Sequence, residues 1–222
     1  MKGNVKKTIT AGAALVLVFV LWTLLIQWVD VQPAGVNGTD IGFAAVNVWF
    51  HQLTGVHMRL YTVTDWLGLV PIVVCICFGV LGLAQWIRRK SIAKVDADIL
   101  LLGAYYILVI LGYLTFEMIP INYRPVLING AMEASYPSST TLLVLSVMPT
   151  LKFQTDRRSA NPAVRRMTAA FVLLFSAFMV IGRLTAGVHW LTDIIGAVLL
   201  SAGLYLLYRA GVAAADRRKE TE

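Results

Sequence analysis

Between two long apolar runs near the end of the chain, the stretch GRLTAGVHWLTDIIG (residues 182–196) carries an arginine, a histidine and an aspartate. The flanking runs, residues 167–184 and 189–208, approach the length of about 20 residues that a helix needs to cross a bilayer. Ionisable side chains at a membrane boundary are costly, so they are usually paired, face the bundle interior and serve a function. The stretch therefore predicts a helical membrane protein that contains a polar site.

The composition extends this interpretation to the whole chain. Of its 222 residues, 58% are hydrophobic and 14% are charged, and the mean hydropathy is +0.73. Soluble domains contain about 45–50% apolar residues. We therefore predict an all-α, polytopic membrane protein that forms one domain over residues 1–222. Six transmembrane helices are expected, the fourth short and polar at its start, at residues 8–29, 66–87, 99–116, 138–151, 167–184 and 189–208.

The basic residues lie between the apolar runs rather than on one face. The net charge is +7, but a nucleic-acid site needs clustered basic residues, so nucleic acid is not an expected partner. Lysine and arginine stay on the cytoplasmic side of membrane proteins. With both termini in the cytoplasm, 16 of the 19 basic residues fall on that side. We predict a multi-pass protein of the plasma membrane whose first span is retained rather than cleaved as a signal peptide.

Three arginines, Arg59, Arg124 and Arg183, remain for the outer side. Arg59 lies in a long connection between the first and second spans, in which residues 41–60 carry aromatic and aliphatic side chains at irregular helical spacing. We predict one or two interfacial helices in this connection. They either pack over the bundle as a lid or line a path for a lipid.

His189 and Asp193 are four residues apart in the sixth predicted helix, so they share one helical face. An aspartate at this spacing can accept a hydrogen bond from one imidazole nitrogen and leave the other nitrogen free to attack or to take up a proton. A simple ion pair between Arg183 and Asp193, beside a histidine with satisfied hydrogen bonds, is the alternative.

Two further segments are expected at the same end of the bundle. Residues 117–125 end in Arg124 and Pro125, and residues 136–140 open the fourth helix with a proline and the hydroxyl side chains of Ser138, Ser139 and Thr140. The free N–H groups and the dipole of a helix start bind anions, and arginine holds phosphate oxygens in a bidentate way. Together with the histidine, these groups can hold a phosphoryl group.

This pattern resembles the phosphatidic acid phosphatase type 2 superfamily of membrane lipid phosphatases. That family shows three motifs, K-x6-R-P, P-S-G-H and S-R-x5-H-x3-D, in this order at the outer ends of a six-helix core. The predicted topology covers the whole chain. The matching residues are Arg124-Pro125, Pro137-Ser138 and Arg183-x5-His189-x3-Asp193.

The resemblance implies an enzyme that hydrolyses a lipid phosphate at the extracytoplasmic face. His189 would be the nucleophile that forms a phosphohistidine, and Asp193 would orient it. Arg124, Arg183 and Ser138 would hold phosphate oxygens. The resemblance implies no metal or other cofactor, and the sequence shows no metal-ligand spacing. The expected partners are a lipid phosphate and the bilayer, and the sequence does not indicate an oligomeric state.

The chain departs from the motifs at four positions, which are Glu117 for lysine, Ser139 for glycine, Thr140 for histidine and Gly182 for serine. The histidine matters most, because in the family it protonates the departing oxygen. A phosphate leaving group, with a second pKa of about 6, departs unassisted far more easily than an alcohol, and general acid help is typically about 10²- to 10⁴-fold. The sequence therefore favours a lipid or polyprenyl diphosphate.

Glu117 places a carboxylate where the family has a lysine. It could be a substitute proton donor, with Glu133 as a weaker candidate, or it could form a structural ion pair with Arg124. The missing lysine and histidine also leave open a second class of function, a relative that binds or transports a lipid phosphate without hydrolysing it. A proton-coupled channel is disfavoured because ionisable groups are scarce inside the apolar runs.

Overall fold

The computed structural model describes residues 2–221, and it describes side chains for residues 4–220. Met1 and Glu222, which the predicted domain includes, lie outside the described residues. Within the described part of the chain the structure is helical, with short 3-10 turns at Val36–Gly38 and Ile92–Lys94 and three isolated β-bridges. The α-helices are α1 (Lys2–Ile26), α2 (Ala44–Thr54), α3 (Met58–Leu67), α4 (Leu69–Arg89), α5 (Ala97–Met118), α6 (Ser139–Arg158), α7 (Pro162–Thr185) and α8 (Leu191–Thr221).

Five helical stretches are long and apolar enough to cross a membrane: Asn4–Ile26, Met58–Arg89, Ala97–Met118, Pro162–Thr185 and Leu191–Glu220. They correspond to five of the six predicted spans. The fourth predicted span, residues 138–151, lies in α6, which is longer than predicted and does not reach this apolar level. Six membrane crossings therefore stay a prediction.

The polar side chains of α6 are accommodated because other helices surround it. It contacts α4, α5, α7 and α8. The hydroxyls of Tyr106 and Thr150 are 2.6 Å apart, and the amide of Gln154 donates to the hydroxyl of Tyr208 at 2.6 Å. Since buried polar groups need hydrogen-bond partners, these contacts explain how a helix with a weak apolar signal lies at the centre of the bundle.

The last helix differs from the prediction at both ends. α8 begins at Leu191 and continues to Thr221, well beyond the predicted end of the sixth span at residue 208. At its start the carboxylate of Asp193 accepts the backbone N–H of Trp190 at 2.9 Å, which is the N3 half of a capping box. His189 therefore lies in the turn before α8, and its assignment to the helix was wrong.

The long connection between α1 and α4 contains two helices, α2 and α3, which agrees with the predicted number. α2 packs on the start of α8, where the amide of Asn47 donates to the hydroxyl of Thr192 at 3.0 Å. α3 packs on the end of α7, where a Cβ atom on Gly182 would lie 2.8 Å from Cγ2 of Thr64. The interfacial location of both helices stays a prediction.

An ion-pair cluster ties three helices together at the other end of the bundle, near the start of α5. The carboxylate of Asp98 lies 3.1 Å from Arg157 and 2.8 Å from Arg158, both on α6. Arg157 also pairs with Asp216 of α8 at 2.8 Å. This end carries none of the residues predicted to bind phosphate.

Candidate functional site

The imidazole of His189 is buried, with 1% of the residue exposed, in the turn between α7 and α8. Nδ1 lies 3.1 Å from the backbone carbonyl oxygen of Ser135, and a carbonyl can only accept a hydrogen bond, so Nδ1 carries the proton. Nε2 then accepts hydrogen bonds from Nη1 of Arg124 at 3.2 Å and Nη2 of Arg183 at 3.3 Å. The prediction that both guanidinium groups meet at His189 is confirmed.

The surroundings of His189 favour its neutral form. Burial lowers its pKa well below the usual value, and the positive charges of Arg124 and Arg183 lower it further. A neutral imidazole with a lone pair on Nε2 is a nucleophile. The arrangement thus presents an unprotonated nitrogen to a cationic pocket.

Asp193 contacts the turn that carries His189 rather than the imidazole itself. Its Oδ2 lies 3.6 Å from Nδ1 of His189, which is too long for a hydrogen bond, and the same oxygen accepts the N–H of Trp190. Its Oδ1 lies 3.4 Å from the amide nitrogen of Asn122. The direct hydrogen bond expected from the spacing is replaced by the Ser135 carbonyl, because His189 lies outside the helix.

Arg124 reaches His189 because the connection between α5 and α6 folds back on itself. The N–H of Arg124 donates to the carbonyl of Glu133 at 3.0 Å, and the N–H of Ser135 donates to the carbonyl of Asn122 at 2.9 Å. The chain reverses between these two hydrogen bonds. This hairpin brings both the Arg124 side chain and the Ser135 carbonyl to the imidazole.

The carboxylate partner of Arg124 is Glu133, whose Oε2 lies 3.0 Å from Nε of the arginine. Glu117 is exposed in the last turn of α5. The predicted ion pair between Glu117 and Arg124 is therefore not formed, since the hairpin turns Nε of Arg124 toward Glu133.

Arg183 lies in the last turn of α7 with 1% of the residue exposed. Its Nη2 contacts His189, but its buried Nε and Nη1 have no hydrogen-bond acceptor among the described residues. The nearest carboxylate oxygen is Oδ1 of Asp65, 3.7 Å from Nη1. Buried charged donors without an acceptor are costly, so these two donors are suited to receive an anion.

Helix α3 supplies two site residues that the sequence analysis missed, Tyr61 and Asp65. The Tyr61 ring centroid lies 4.9 Å from the guanidinium carbon of Arg183 and 5.9 Å from that of Arg124. Tyr61 and Asp65 are four residues apart and share a helical face. That spacing was the available signal, but nothing in the sequence connected α3 to the arginines.

The start of α6 lies beside the histidine turn. Ser138, fully buried, donates its N–H to the carbonyl of Asp193 at 3.2 Å, and its hydroxyl donates to that of Thr141 at 3.0 Å. Ser139, Thr140 and Asp65 line a mostly apolar groove of about 270 Å³ between α4, α5 and α6. The arginines and His189 thus meet directly, whereas Ser138 bonds to Asp193 and Thr141 instead, and Ser139 and Thr140 line the groove.

The described residues contain no group of three or more histidine, cysteine, aspartate or glutamate side chains that could hold a metal ion. The chemistry that these side chains can carry out by themselves is anion binding by two arginines and attack by a neutral imidazole.

Comparison with known proteins gives a match of fold. No protein-family model matches the chain, and no curated protein matches it. The chain is similar to the crystal structure of a transmembrane PAP2-type phosphatidylglycerolphosphate phosphatase from Bacillus subtilis, with a TM-score of 0.59 and 17% sequence identity. The match covers 93% of this chain and 96% of the other. The fold implied by the three motifs is therefore confirmed, and the chain has a multi-pass membrane fold.

Proposed function

We propose that the chain is an integral membrane phosphatase that hydrolyses a lipid-linked phosphate or diphosphate, of a polyprenyl or a glycerolipid, at the extracytoplasmic face. The single observation that carries the proposal is the position of His189 Nε2, which lies within 3.3 Å of a buried nitrogen on each of two arginines. A histidine kept only for packing would not need two buried cations at its free nitrogen. The fold shared with a membrane phosphatase supports the same conclusion.

The first step of the reaction is transfer of the phosphoryl group to His189. Phosphate oxygens accept hydrogen bonds from the open Nε and Nη1 donors of Arg183 and from the guanidinium of Arg124. The N–H groups that contact Nε2 in the free protein then turn to the phosphate, which frees the lone pair of Nε2. Nε2 attacks the phosphorus, and the bond from phosphorus to the leaving oxygen breaks. The Ser135 carbonyl keeps the proton on Nδ1, and the nearby carboxylate of Asp193 stabilises the positive charge that the imidazole gains.

A diphosphate is the proposed substrate because the motif position of the proton donor is Thr140. A threonine cannot supply a proton at neutral pH, and a phosphate leaving group needs one far less than an alkoxide does. Faster cleavage of lipid monophosphates than of the matching diphosphates by the purified protein would contradict this preference.

The substrate reaches the site sideways from the bilayer. The groove between α4, α5 and α6 is mostly apolar, and its lining includes Asp65, which lies 3.7 Å from Arg183. It therefore suits a lipid tail whose head group points to Arg183. The side of the membrane is inferred from the distribution of basic residues, which puts both termini in the cytoplasm.

The test is a comparison of the wild-type protein with His189→Ala in detergent or liposomes. Mono- and diphosphate lipids labelled with ³²P on the terminal phosphate are mixed with each protein, and both released phosphate and protein-bound label are measured. We expect alkali-stable, acid-labile label on wild type and neither label nor release from the variant. Wild-type release that persists in His189→Ala would overturn the proposal.

A second candidate function is binding or transport of the same lipids without hydrolysis. The replacements at Glu117 and Thr140 favour it, because they remove two groups that a hydrolase of this kind uses. In that case wild type binds the lipid and releases no phosphate, and His189→Ala binds almost as well.

A further inference from the structure

A carboxylate outside the three motifs lies at the phosphate-binding arginine. Oδ1 of Asp65 is 3.7 Å from Nη1 of Arg183, while His189 contacts Nη2 of the same guanidinium at 3.3 Å. The two side chains therefore approach opposite terminal nitrogens of one planar fork. A phosphoryl group bound across Nη1 and Nη2 of Arg183 would lie between His189 and Asp65.

The backbone around Asp65 is held against the turn that carries His189. The N–H of His57, at the start of α3, donates to the carbonyl of Ala186 at 3.0 Å. A Cβ atom on Gly187 would lie 1.9 Å from the carbonyl oxygen of Gly55, so the two segments touch directly. Because α3 packs on this turn, the position of Asp65 relative to the arginine is set by the fold.

The proposed reaction needs a proton acceptor that no motif residue supplies. A phosphohistidine is released when water attacks the phosphorus, and the attacking water must lose a proton. At the motif position where the family has histidine, this chain has Thr140, whose Cγ2 would lie 3.6 Å from a Cβ atom on Gly68. Thr140 and Asp65 line the same groove, so Asp65 lies in the region from which the histidine side chain is missing.

The protein leaves this carboxylate open, since 57% of the Asp65 side chain is exposed. The other carboxylate at an arginine, that of Glu133, is 3.0 Å from Nε of Arg124 and is engaged in that ion pair. Asp193 is fully buried behind the imidazole. Of these three carboxylates, that of Asp65 is the most exposed, and at 3.7 Å from Nη1 it lies at Arg183 without a hydrogen bond to it.

We propose that Asp65 is the general base that activates water in the second half of the reaction, an inference that rests on the proposed function. The water oxygen bonds to phosphorus as one of its protons moves to the Asp65 carboxylate. The bond from phosphorus to Nε2 of His189 breaks, and its electron pair returns to Nε2. Inorganic phosphate leaves, and Asp65 gives its proton to solvent. The first half of the reaction, with a diphosphate substrate, does not need this residue.

Rapid-quench kinetics of Asp65→Asn with a terminally ³²P-labelled lipid diphosphate separate the two halves. Asparagine keeps the size of the side chain and cannot take up a proton. We expect a first turnover close to the wild-type rate, about one labelled histidine per protein molecule, and a steady-state rate lower by about 10²- to 10⁴-fold. Asp65→Glu, which keeps a carboxylate, should restore part of the steady-state rate.

Asp40→Asn is the matched control, because Asp40 is an exposed aspartate in the connection that also contains α3, and it contacts neither arginine. It should turn over like wild type and carry no more label than wild type does. Thermal unfolding of each purified variant checks that the proteins are folded. If Asp65→Asn does not fold, the same measurement on Asp65→Glu alone decides, since a displaced carboxylate should also slow only the loss of label.

The outcomes distinguish the two proposals. Labelled wild type together with unchanged steady-state turnover of Asp65→Asn overturns the role of Asp65 and leaves the phosphatase intact. Loss of the first turnover in Asp65→Asn also overturns it, since Asp65 then acts by placing Arg183. Absence of both label and phosphate release in wild type overturns the proposed function itself.

Discussion

The aromatic ring of Tyr61 lies 4.9 Å from the guanidinium carbon of Arg183, and the same ring lies 5.9 Å from that of Arg124. Two like charges are thus held near one histidine with a single aromatic ring beside both of them. Cation–π contacts of this kind contribute about 0.5–2 kcal/mol. Tyr61 therefore helps to keep the two arginines together before an anion arrives.

Replacement of Tyr61 by leucine should weaken substrate binding. Loss of the ring removes the cation–π contacts, so KM should rise about two- to thirtyfold while kcat changes less. Steady-state kinetics with a lipid diphosphate measure both constants. Tyr61→Phe is the control, because it keeps the ring and should behave like wild type. Equal effects of the two substitutions would assign the role to the hydroxyl instead.

The imidazole of His189 should remain neutral at a pH where an ordinary histidine is charged. Its pKa is lowered by burial and by Arg124 and Arg183. The chain has three histidines, so NMR of ¹³C-labelled histidine in micelles can follow each one. The signal that is missing in His189→Ala belongs to His189. We expect its midpoint below about 6.5. Arg124→Gln should raise the midpoint, because it removes a positive charge beside the ring.

The same shift affects stability in a defined direction. The unfolded chain takes up a proton on this imidazole at a higher pH than the folded protein does, so the free energy of unfolding should decrease as the pH falls below about 6.5. The free energy of unfolding of His189→Gln should decrease less over the same pH range than that of wild type. Unfolding curves of both proteins at several pH values measure it, and identical pH dependence would contradict the buried neutral histidine.

Replacement of Gly187 by alanine should disturb the contact between α3 and the histidine turn. Gly187 has a φ of +69°, and a Cβ atom there would lie 1.9 Å from the carbonyl oxygen of Gly55. Gly130 has a φ of +81° with nothing within 4 Å of such an atom. Gly130→Ala therefore costs only the left-handed backbone, about 1–2 kcal/mol, and Gly187→Ala should cost more. Thermal unfolding and phosphate release measure the difference.

The ion pairs near the start of α5 should contribute to stability without affecting the chemistry. Asp98 is buried and accepts hydrogen bonds from Arg157 at 3.1 Å and Arg158 at 2.8 Å. Asp98→Asn should lower the free energy of unfolding by roughly 1.5–3 kcal/mol, the usual contribution of hydrogen bonds to charged groups. KM and kcat measured well below the unfolding temperature should stay near wild type. A selective loss of kcat would show that this end of the bundle affects the site.

Glu117 should not act as the proton donor. It is exposed at the end of α5, and the carboxylate that contacts Arg124 is that of Glu133. We expect Glu117→Gln to release phosphate within about twofold of the wild-type rate, against the roughly 10²- to 10⁴-fold loss expected for a missing general acid. A loss of that size would restore Glu117 as the donor.

The sequence predicts those parts of the site that depend on side-chain identity and spacing. Few basic residues fall on the predicted outer side, so Arg124, Arg183 and His189 could be assigned to one place, and the structure brings them within hydrogen-bonding distance. The Ser135 carbonyl could not be predicted, because every residue has a carbonyl and its position depends on the hairpin. The position of Tyr61 beside the arginines could not be predicted either, because it depends on the packing of α3 against α7, which is distant in sequence.

The predicted helix boundaries were wrong where polar side chains are buried and where a side chain caps a helix. Asp193 was read as a helical partner of His189 at the expected spacing, but its carboxylate caps α8 and leaves the histidine in the preceding turn. The fourth predicted span was too short because the polar and charged residues at the end of α6, which include Gln154, are typical of an exposed connection between spans. In the structure Gln154 is buried against Tyr208, which sequence periodicity does not reveal.

The weak apolar character of α6 also bears on how the protein is made. During synthesis, segments of a membrane protein reach the insertion machinery in the order of the sequence. Transfer of α6 alone into lipid is unfavourable, because the helix carries hydroxyl and amide side chains. α7 and α8, which contact α6, are synthesised after it. We expect α6 to stay outside the bilayer in a chain truncated at Ser159. Membrane insertion of α6 would then require its packing against α7 and α8.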